Sequence, residues 1–392
     1  MVLRAPEPRP GTRTDLGYHY FEQKNSGLKS SSAWSRYGWS VTSLFELWPA
    51  LRASVPWVSL GAFPTRVVEA APVLREAGLD GELWLKRDDE SSPVCGGNKV
   101  RLLEHLLGEA RQEGATHVYS AGACGSNFAL ATALLAPAVG LTPGAVCFSQ
   151  PMTPGGEQSH RLVTARARVV EIPHWSLLPV AVERVRRASE QRGERAVVLS
   201  QVRVRPESLF GYLAAGLELA RQVRAGTCPA PSRIVLPVGS AATTAGVLAG
   251  VSLARKLGIW RGDLPTFSAV RIAAWPLSRR ARVLSLAAKT LACLSRLAAD
   301  ASLAVEKRGL APLEVVTDQL GTGYPHPTPQ GMSARLLFAR AGTPVLDDTY
   351  SAKAAAHVLA RLRDGNQRGP LLFWCTKSSA ALPTATDAPG AG

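Results

Sequence analysis

Residues 96–107 read Gly-Gly-Asn-Lys-Val-Arg-Leu-Leu-Glu-His-Leu-Leu. Two glycines permit close backbone approach and unusual dihedrals. A lysine, Lys99, then opens a segment with apolar residues at Val100, Leu103, Leu106, Leu107 and Ala110. That spacing predicts a helix over 98–113 with one buried face. A lysine at a helix start sits in the positive end of the helix dipole. That field, and burial, favour the neutral amine, the form Schiff-base chemistry needs. Upstream, Glu82–Lys86 predicts a short strand, so the whole reads strand, glycine turn, helix.

The same rhythm continues outward. Short apolar runs at 116–120, 145–148, 169–172, 197–200, 234–238, 267–272, 313–316 and 371–374 predict strands. Helical patterns separate them, among them 177–191, 207–223 and 243–256. The apolar stretch 286–305 carries Lys289, Arg296 and Asp300 and reads as a buried or amphipathic helix, not a membrane span. Repeated strand–helix units imply an α/β fold of parallel, twisted sheets with helices on both faces. Ligands of such sheets bind beyond the carboxyl ends of strands. The loops 87–99, 121–127, 239–244 and 375–379 are therefore where function is expected.

At 392 residues, 46% apolar and 19% charged, the chain has the composition of a globular protein long enough for two domains. Its formal net charge of +15 invites a nucleic-acid reading. The basic residues are scattered, however. The densest groups, Arg184–Arg187 and Arg279–Arg282, fall on helical stretches and read as solvated faces, so no nucleic-acid partner is expected. The six cysteines contain no C-x-x-C pair, which argues against a metal site and a disulfide scaffold and suits a reducing cytoplasm. No secretory leader or membrane segment is expected. The aromatic residues Trp34, Tyr37, Trp39, Phe45 and Trp48 mark residues 1–55 as an extension that packs on the body or on a partner subunit.

Two further loops have chemical character. Gly122-Ala123-Cys124-Gly125-Ser126-Asn127 precedes a helix; Ser126 and Asn127 suit either a helix cap or a hold on a carboxylate. Gly239-Ser240-Ala241-Ala242-Thr243-Thr244-Ala245-Gly246 combines small residues, hydroxyls and a helix start, as a phosphate cradle does. It is neither a Walker motif nor a dinucleotide fingerprint.

In this order and spacing the three segments resemble the fold type II pyridoxal-phosphate-dependent enzymes, which are tryptophan synthase β-like in fold. Within them the resemblance is to the D-cysteine desulfhydrase and 1-aminocyclopropane-1-carboxylate deaminase family, from about Pro64 to Thr376. It implies pyridoxal 5′-phosphate as cofactor, carried as a Schiff base on Lys99. It implies that Ser126 contacts substrate, that Asn127 contacts the cofactor's phenolic oxygen, and that Gly239, Ser240, Ala241, Ala242 and Thr243 hold the phosphate. Gly323-Tyr324 and Asp347-Asp348-Thr349-Tyr350-Ser351 resemble the segments supplying two active-site tyrosines, Tyr324 and Tyr350. An acid after the second tyrosine marks the ring-opening deaminases; Ser351 stands here. Thr376 likewise resembles the desulfhydrase side. A hydroxyl near the pyridine nitrogen makes a weaker electron sink, adequate when a good leaving group departs.

The implied activity is thus α,β-elimination on a small amino acid, giving a 2-oxo acid, ammonia and sulfide. Cyclopropane ring opening and a non-catalytic relative are the alternatives. The implied architecture is a large domain, 56–101 with 208–380, and a small domain, 102–207, in a homodimer, with a disordered tail at 381–392. The chain departs from the family pattern at Leu102 and Phe128, at Ala241-Ala242 and at Cys375-Thr376-Lys377-Ser378. If the Ala241-Ala242 turn needs positive φ, alanine is strained there. Lys377 is a candidate to replace the phosphate-binding charge that Leu102 lacks.

Overall fold

The computed structural model describes residues 44–382, apart from 203, 274 and 343. Most of the extension expected at 1–55, and the tail from 383, lie outside the described residues. In chain order the strands are β1 (Val67–Glu69), β2 (Leu83–Lys86), β3 (His117–Ala123), β4 (Thr142–Phe148) and β5 (Arg168–Ile172), then β6 (Ala196–Ser200), β7 (Arg233–Val238), β8 (Thr266–Arg271), β9 (Leu313–Val316) and β10 (Leu371–Trp374). The helices of seven or more residues are α1 (Ala71–Ala77), α2 (Lys99–Gln112), α3 (Asn127–Leu135), α4 (Pro154–Arg166) and α5 (Leu178–Gln191), then α6 (Phe210–Arg224), α7 (Ala242–Lys256), α8 (Arg280–Leu297), α9 (Pro329–Arg340) and α10 (Ser351–Arg363).

The strands form two sheets. The larger has the order β1-β2-β10-β7-β8-β9 and the smaller β5-β4-β3-β6. All neighbours are parallel except β1 and β2. Side-chain alternation shows why helices must cover both faces. Along β10, Leu371 and Phe373 join one apolar cluster while Leu372 and Trp374 join another. Along β7, Val235 parts from Ile234, Leu236 and Val238 in the same way. Successive side chains point to opposite faces, so a sheet apolar on both sides needs two helical layers. Residues of α2, α6, α7 and α8 complete the first cluster, and those of α1, α9 and α10 the second.

The periodicity read from 98–113 is the buried face of α2, with Val100, Leu103, Leu106, Leu107 and Ala110 all inside. Four elements differ from expectation. β3 continues past Ser120 to Ala123, because the small residues 121–123 still pair with Val146, Cys147 and Phe148. The helix expected at 286–305 runs from Arg280 to Leu297 instead. β1 and α1 went unread, since three residues carry too little alternation to mark a strand.

One polar cluster is sealed in the larger core. Lys86 at the end of β2 pairs with Glu218 of α6 and donates to Thr65 O at 2.7 Å and to Gln222 Oε1 at 2.9 Å. Arg101 of α2 bridges Asp88 at 2.8 Å and Glu218 at 3.1 Å. Trp374 Nε1 on β10 donates to Asp88 at 2.8 Å. Every buried charge here has an opposite partner, which is the condition for tolerating it. The cluster ties β2, α2, α6 and β10 together behind Lys99. No helix among the described residues is long and apolar enough to cross a membrane.

Candidate active site

The glycine turn is fixed by crowding from two directions. A Cβ on Gly96 would lie 2.1 Å from Asp89 O, and one on Gly97 would lie 2.7 Å from Thr376 O. Gly97 also adopts φ +94°, a region that side chains disfavour. Its N–H donates to Asp88 O at 2.9 Å, and the Asn98 N–H donates to Thr376 O at 3.2 Å. The turn is thereby pressed against the ends of β2 and β10, and Lys99 emerges as the first residue of α2. Asn98 Nδ2 reaches Thr243 Oγ1 at 2.8 Å, joining this turn to the start of α7.

Lys99 has no hydrogen bond among the described residues. Burial pushes its amine down to about 8, with the Asp347 carboxylate pulling the other way. The neutral form expected from the sequence is accessible near physiological pH, with burial as the main cause.

The turn between β7 and α7 carries the expected strain. Ala241 has φ +74° and ψ −11°, the left-handed region, whereas Ala242 is already helical. No side chain caps α7, so the first amide groups of a 15-residue helix point outward without such a partner. In its first turn Thr244 Oγ1 is buried and has no partner among the described residues, while Thr243 is held by Asn98. Basic charge comes from an unexpected place. Arg282 Nε donates to Ser240 O at 3.4 Å, and its Nη2 to Val202 O at 2.7 Å. The Arg279–Arg282 group is therefore not a purely solvated face, as Arg280 also donates to Leu313 O at 2.9 Å. Lys377 is not at this turn: its Nζ donates to Asn127 Oδ1 at 2.9 Å. Leu102 lies fully inside the core and Phe128 is also buried, both as packing residues.

The two tyrosines meet. Their ring centroids are 5.7 Å apart at 60°. Tyr350 also lies against the β7 turn, since a Cβ on Gly239 would sit 3.0 Å from its Cε1. Burial holds the Tyr324 and Tyr350 hydroxyls above their ordinary range, where they stay protonated, and for Tyr350 the neighbouring Tyr324 adds to this. Lys353, two residues beyond Ser351, is buried and donates to Leu320 O at 3.1 Å and Gly323 O at 3.2 Å, clamping the turn that carries Tyr324. Ser351 is engaged with Asp347: its Oγ donates to Oδ2 at 2.9 Å and accepts from the Asp347 N–H at 2.7 Å. Asp347 Oδ1 accepts from the Thr349 and Tyr350 N–H groups at 3.0 and 2.6 Å. Asp347 thus orders the turn that opens α10. Sequence reasoning passed over Asp347, and its one signal was its place in the quoted tyrosine segment.

The smaller sheet contributes from across the site. Ser126 caps α3, its Oγ accepting from the Ala129 N–H at 3.1 Å, and Asn127 is tied to Lys377. Gln150 Nε2 donates to Cys124 O at 3.0 Å, and the same side chain hydrogen-bonds with Tyr324. Gln150 carried no sequence signal, because only the folded chain brings the end of β4 to Tyr324. All the expected segments converge, although Ser126 is joined to Lys99 only through its neighbours.

The family model for pyridoxal-phosphate dependent enzymes matches residues 58–376. The chain belongs to that family. It is 34% identical over 331 residues to nocardicin C-9′ epimerase of Nocardia uniformis subsp. tsuyamanensis, covering 82% of this chain and 94% of that protein. It is 30% identical over 316 residues to D-cysteine desulfhydrase of Serratia proteamaculans (strain 568), covering 78% and 88%. Among solved structures, an ACC deaminase homologue superposes with a TM-score of 0.65 at 24% identity, covering 84% of this chain and 93% of that one. The fold is the fold type II architecture, and the cofactor is pyridoxal phosphate. The residues present fit it. The uncapped start of α7 with the partnerless Thr244 hydroxyl suits a phosphate ester, and the unbonded Lys99 amine suits an aldehyde carbon.

Proposed function

We propose that this enzyme is an amino-acid lyase, D-cysteine desulfhydrase-like, that eliminates a leaving group from Cβ of a small amino acid. The observation that carries this is Lys99: an amine with no side-chain hydrogen bond among the described residues, held down to about 8 by burial, with Asp347, the residue that orders the turn before Tyr350, as its charged neighbour. The backbone at the start of α7, with Ser240, Thr243 and Thr244, would hold the phosphate. Asn127 would hold the ring oxygen, and Ser351 would face the ring nitrogen. Bound there, pyridoxal phosphate stabilises the electron pair left at Cα when a proton is removed. Ser126 and the first amides of α3 bind the substrate carboxylate. Lys99 Nζ takes the proton from Cα. The Cβ–S bond breaks with its electron pair on sulfur, and the Tyr324–Tyr350 pair supplies a proton to the departing thiolate. The aminoacrylate released takes up water and yields pyruvate and ammonia.

A second reading, epimerisation at Cα, is favoured by the 34% identity to a protein named as an epimerase. It shares proton removal by Lys99 and differs in returning a proton to the opposite face with no bond broken at Cβ. Incubating holoenzyme with D- and L-cysteine in D2O separates the two. Sulfide and pyruvate in equal amounts support the lyase. Deuterated amino acid of inverted configuration with no sulfide supports the epimerase. Neither product, nor any deuterium at Cα, across a panel of small amino acids removes both readings.

A further inference from the structure

At the carboxyl end of the smaller sheet, Cys124 and Cys147 bring their Sγ atoms to 2.6 Å, closer than two unbonded sulfurs rest. Both side chains are buried. His160, on α4, places a ring nitrogen so that all three donor atoms lie within 4.8 Å of one another. Its Nε2 is 2.9 Å from Glu171 Oε1 at the end of β5. Glu171 thereby fixes the imidazole, as a carboxylate commonly does for a metal-bound histidine.

We infer that Cys124, Cys147 and His160 form a binding site for a thiophilic divalent cation of the zinc class. Two thiolates and one imidazole are zinc donors, and a water completes the tetrahedron. As the ion enters, each thiol releases its proton to solvent and the sulfurs part to about 3.8 Å, the separation that two ligands at about 2.3 Å require. The part-exposed edge of His160 gives the way in. A disulfide would explain the two sulfurs but would leave the imidazole and its carboxylate without a role. The sequence conceals the site because the cysteines are 23 residues apart and meet through adjacent strands. The ion would staple β3, β4 and α4 beneath Gly125-Ser126-Asn127, the loop whose backbone Gln150 already anchors at Cys124 O.

The inference is independent of the reaction proposed above. Tag-free holoprotein is equilibrated with Zn2+, desalted and assayed for metal by mass spectrometry, with Co2+ as an optical substitute. One zinc per chain is expected, with thiolate-to-cobalt absorption in the Co2+ form. Cys147→Ser and His160→Ala should lose retention, and Glu171→Gln should weaken it about 10–100-fold, while pyridoxal phosphate content is unchanged in all three. No zinc in the wild type, or equal zinc in the Cys147→Ser and His160→Ala proteins, overturns the site. So does a Cys124–Cys147 cross-link in peptides from protein purified without reductant. If Cys147→Ser fails to fold, the partly exposed His160 and Glu171 positions carry the test.

Discussion

Two lysines thirteen positions apart, Lys86 sealed and Lys99 half-buried, show how one side chain serves opposite ends. Lys86 is fully enclosed, yet its ammonium meets a carboxylate, an amide oxygen and a backbone carbonyl. Lys99, on the next element, has no hydrogen bond and only the Asp347 charge in its favour. Burial lowers the affinity of both amines for a proton. In the first case paired charges offset the burial and the lysine becomes structural. In the second the cost is left standing, and it takes the form of a reactive amine. Lys353 stands between the two, with backbone carbonyls on its ammonium but no carboxylate partner among the described residues.

This contrast can be broken by experiment. The largest effect belongs to Lys99→Ala: turnover of any accepted substrate should fall by about a thousandfold or more, with the fold intact by circular dichroism. A mutant within tenfold of wild type would remove Lys99 from the chemistry. At the other lysine, Lys86→Met leaves Glu218 and Asp88 sharing one cation. It should cost about 3–5 kcal/mol of stability in denaturant titration, while whatever protein folds keeps its cofactor linkage.

The same substitution at position 99 should have the reverse sign in cofactor-free protein. The folded-state value of about 8 lies below the ordinary 10.5. Between those limits the unfolded chain binds more protons, so wild-type stability climbs with pH across that window, and the burial penalty is complete below it. Lys99→Met removes the penalty and should stabilise the apoprotein by about 1–3 kcal/mol at pH 7. Reactivity follows the same curve. Amine-selective labelling of Lys99 in apoprotein, read by peptide mapping, should rise with pH and level off above about 8, with Lys86 unlabelled throughout.

The smallest effect sharpens a second contrast, between adjacent alanines. Ala242→Gly, at a helical position, should cost about 1 kcal/mol. Ala241→Gly relieves a left-handed residue and should be nearly neutral, within about 0.5 kcal/mol. Equal losses at both positions would mean that the Ala241 turn is unstrained.

Much of this was legible because local physics fixes it. The two glycines before Lys99 announced crowding, the stripe from Val100 to Ala110 announced a buried helix face, and the Ala241-Ala242 pair signalled strain on the condition, met at Ala241, that the turn takes positive φ. The illegible part is long-range. Nothing near Arg282 says that it reaches Ser240, and nothing near Lys377 says that it leaves the phosphate turn for Asn127. Gln150 meets Tyr324 only once strands from distant segments are side by side. Leu371–Trp374 was read correctly as a strand, but its place between β2 and β7 was not.

That place imposes an order of events on synthesis. β10 is the last strand made among the described residues, yet it is inserted between two laid down much earlier, β2 and β7. Until Trp374 has left the ribosome, β2 has no parallel neighbour, Asp88 lacks its indole donor, and Gly97 lacks the backbone that shapes its turn. The smaller sheet, complete by residue 200, can assemble long before. The nascent chain therefore carries a finished smaller sheet while Lys99 waits, unshaped, for the strand that clicks the glycine turn into place.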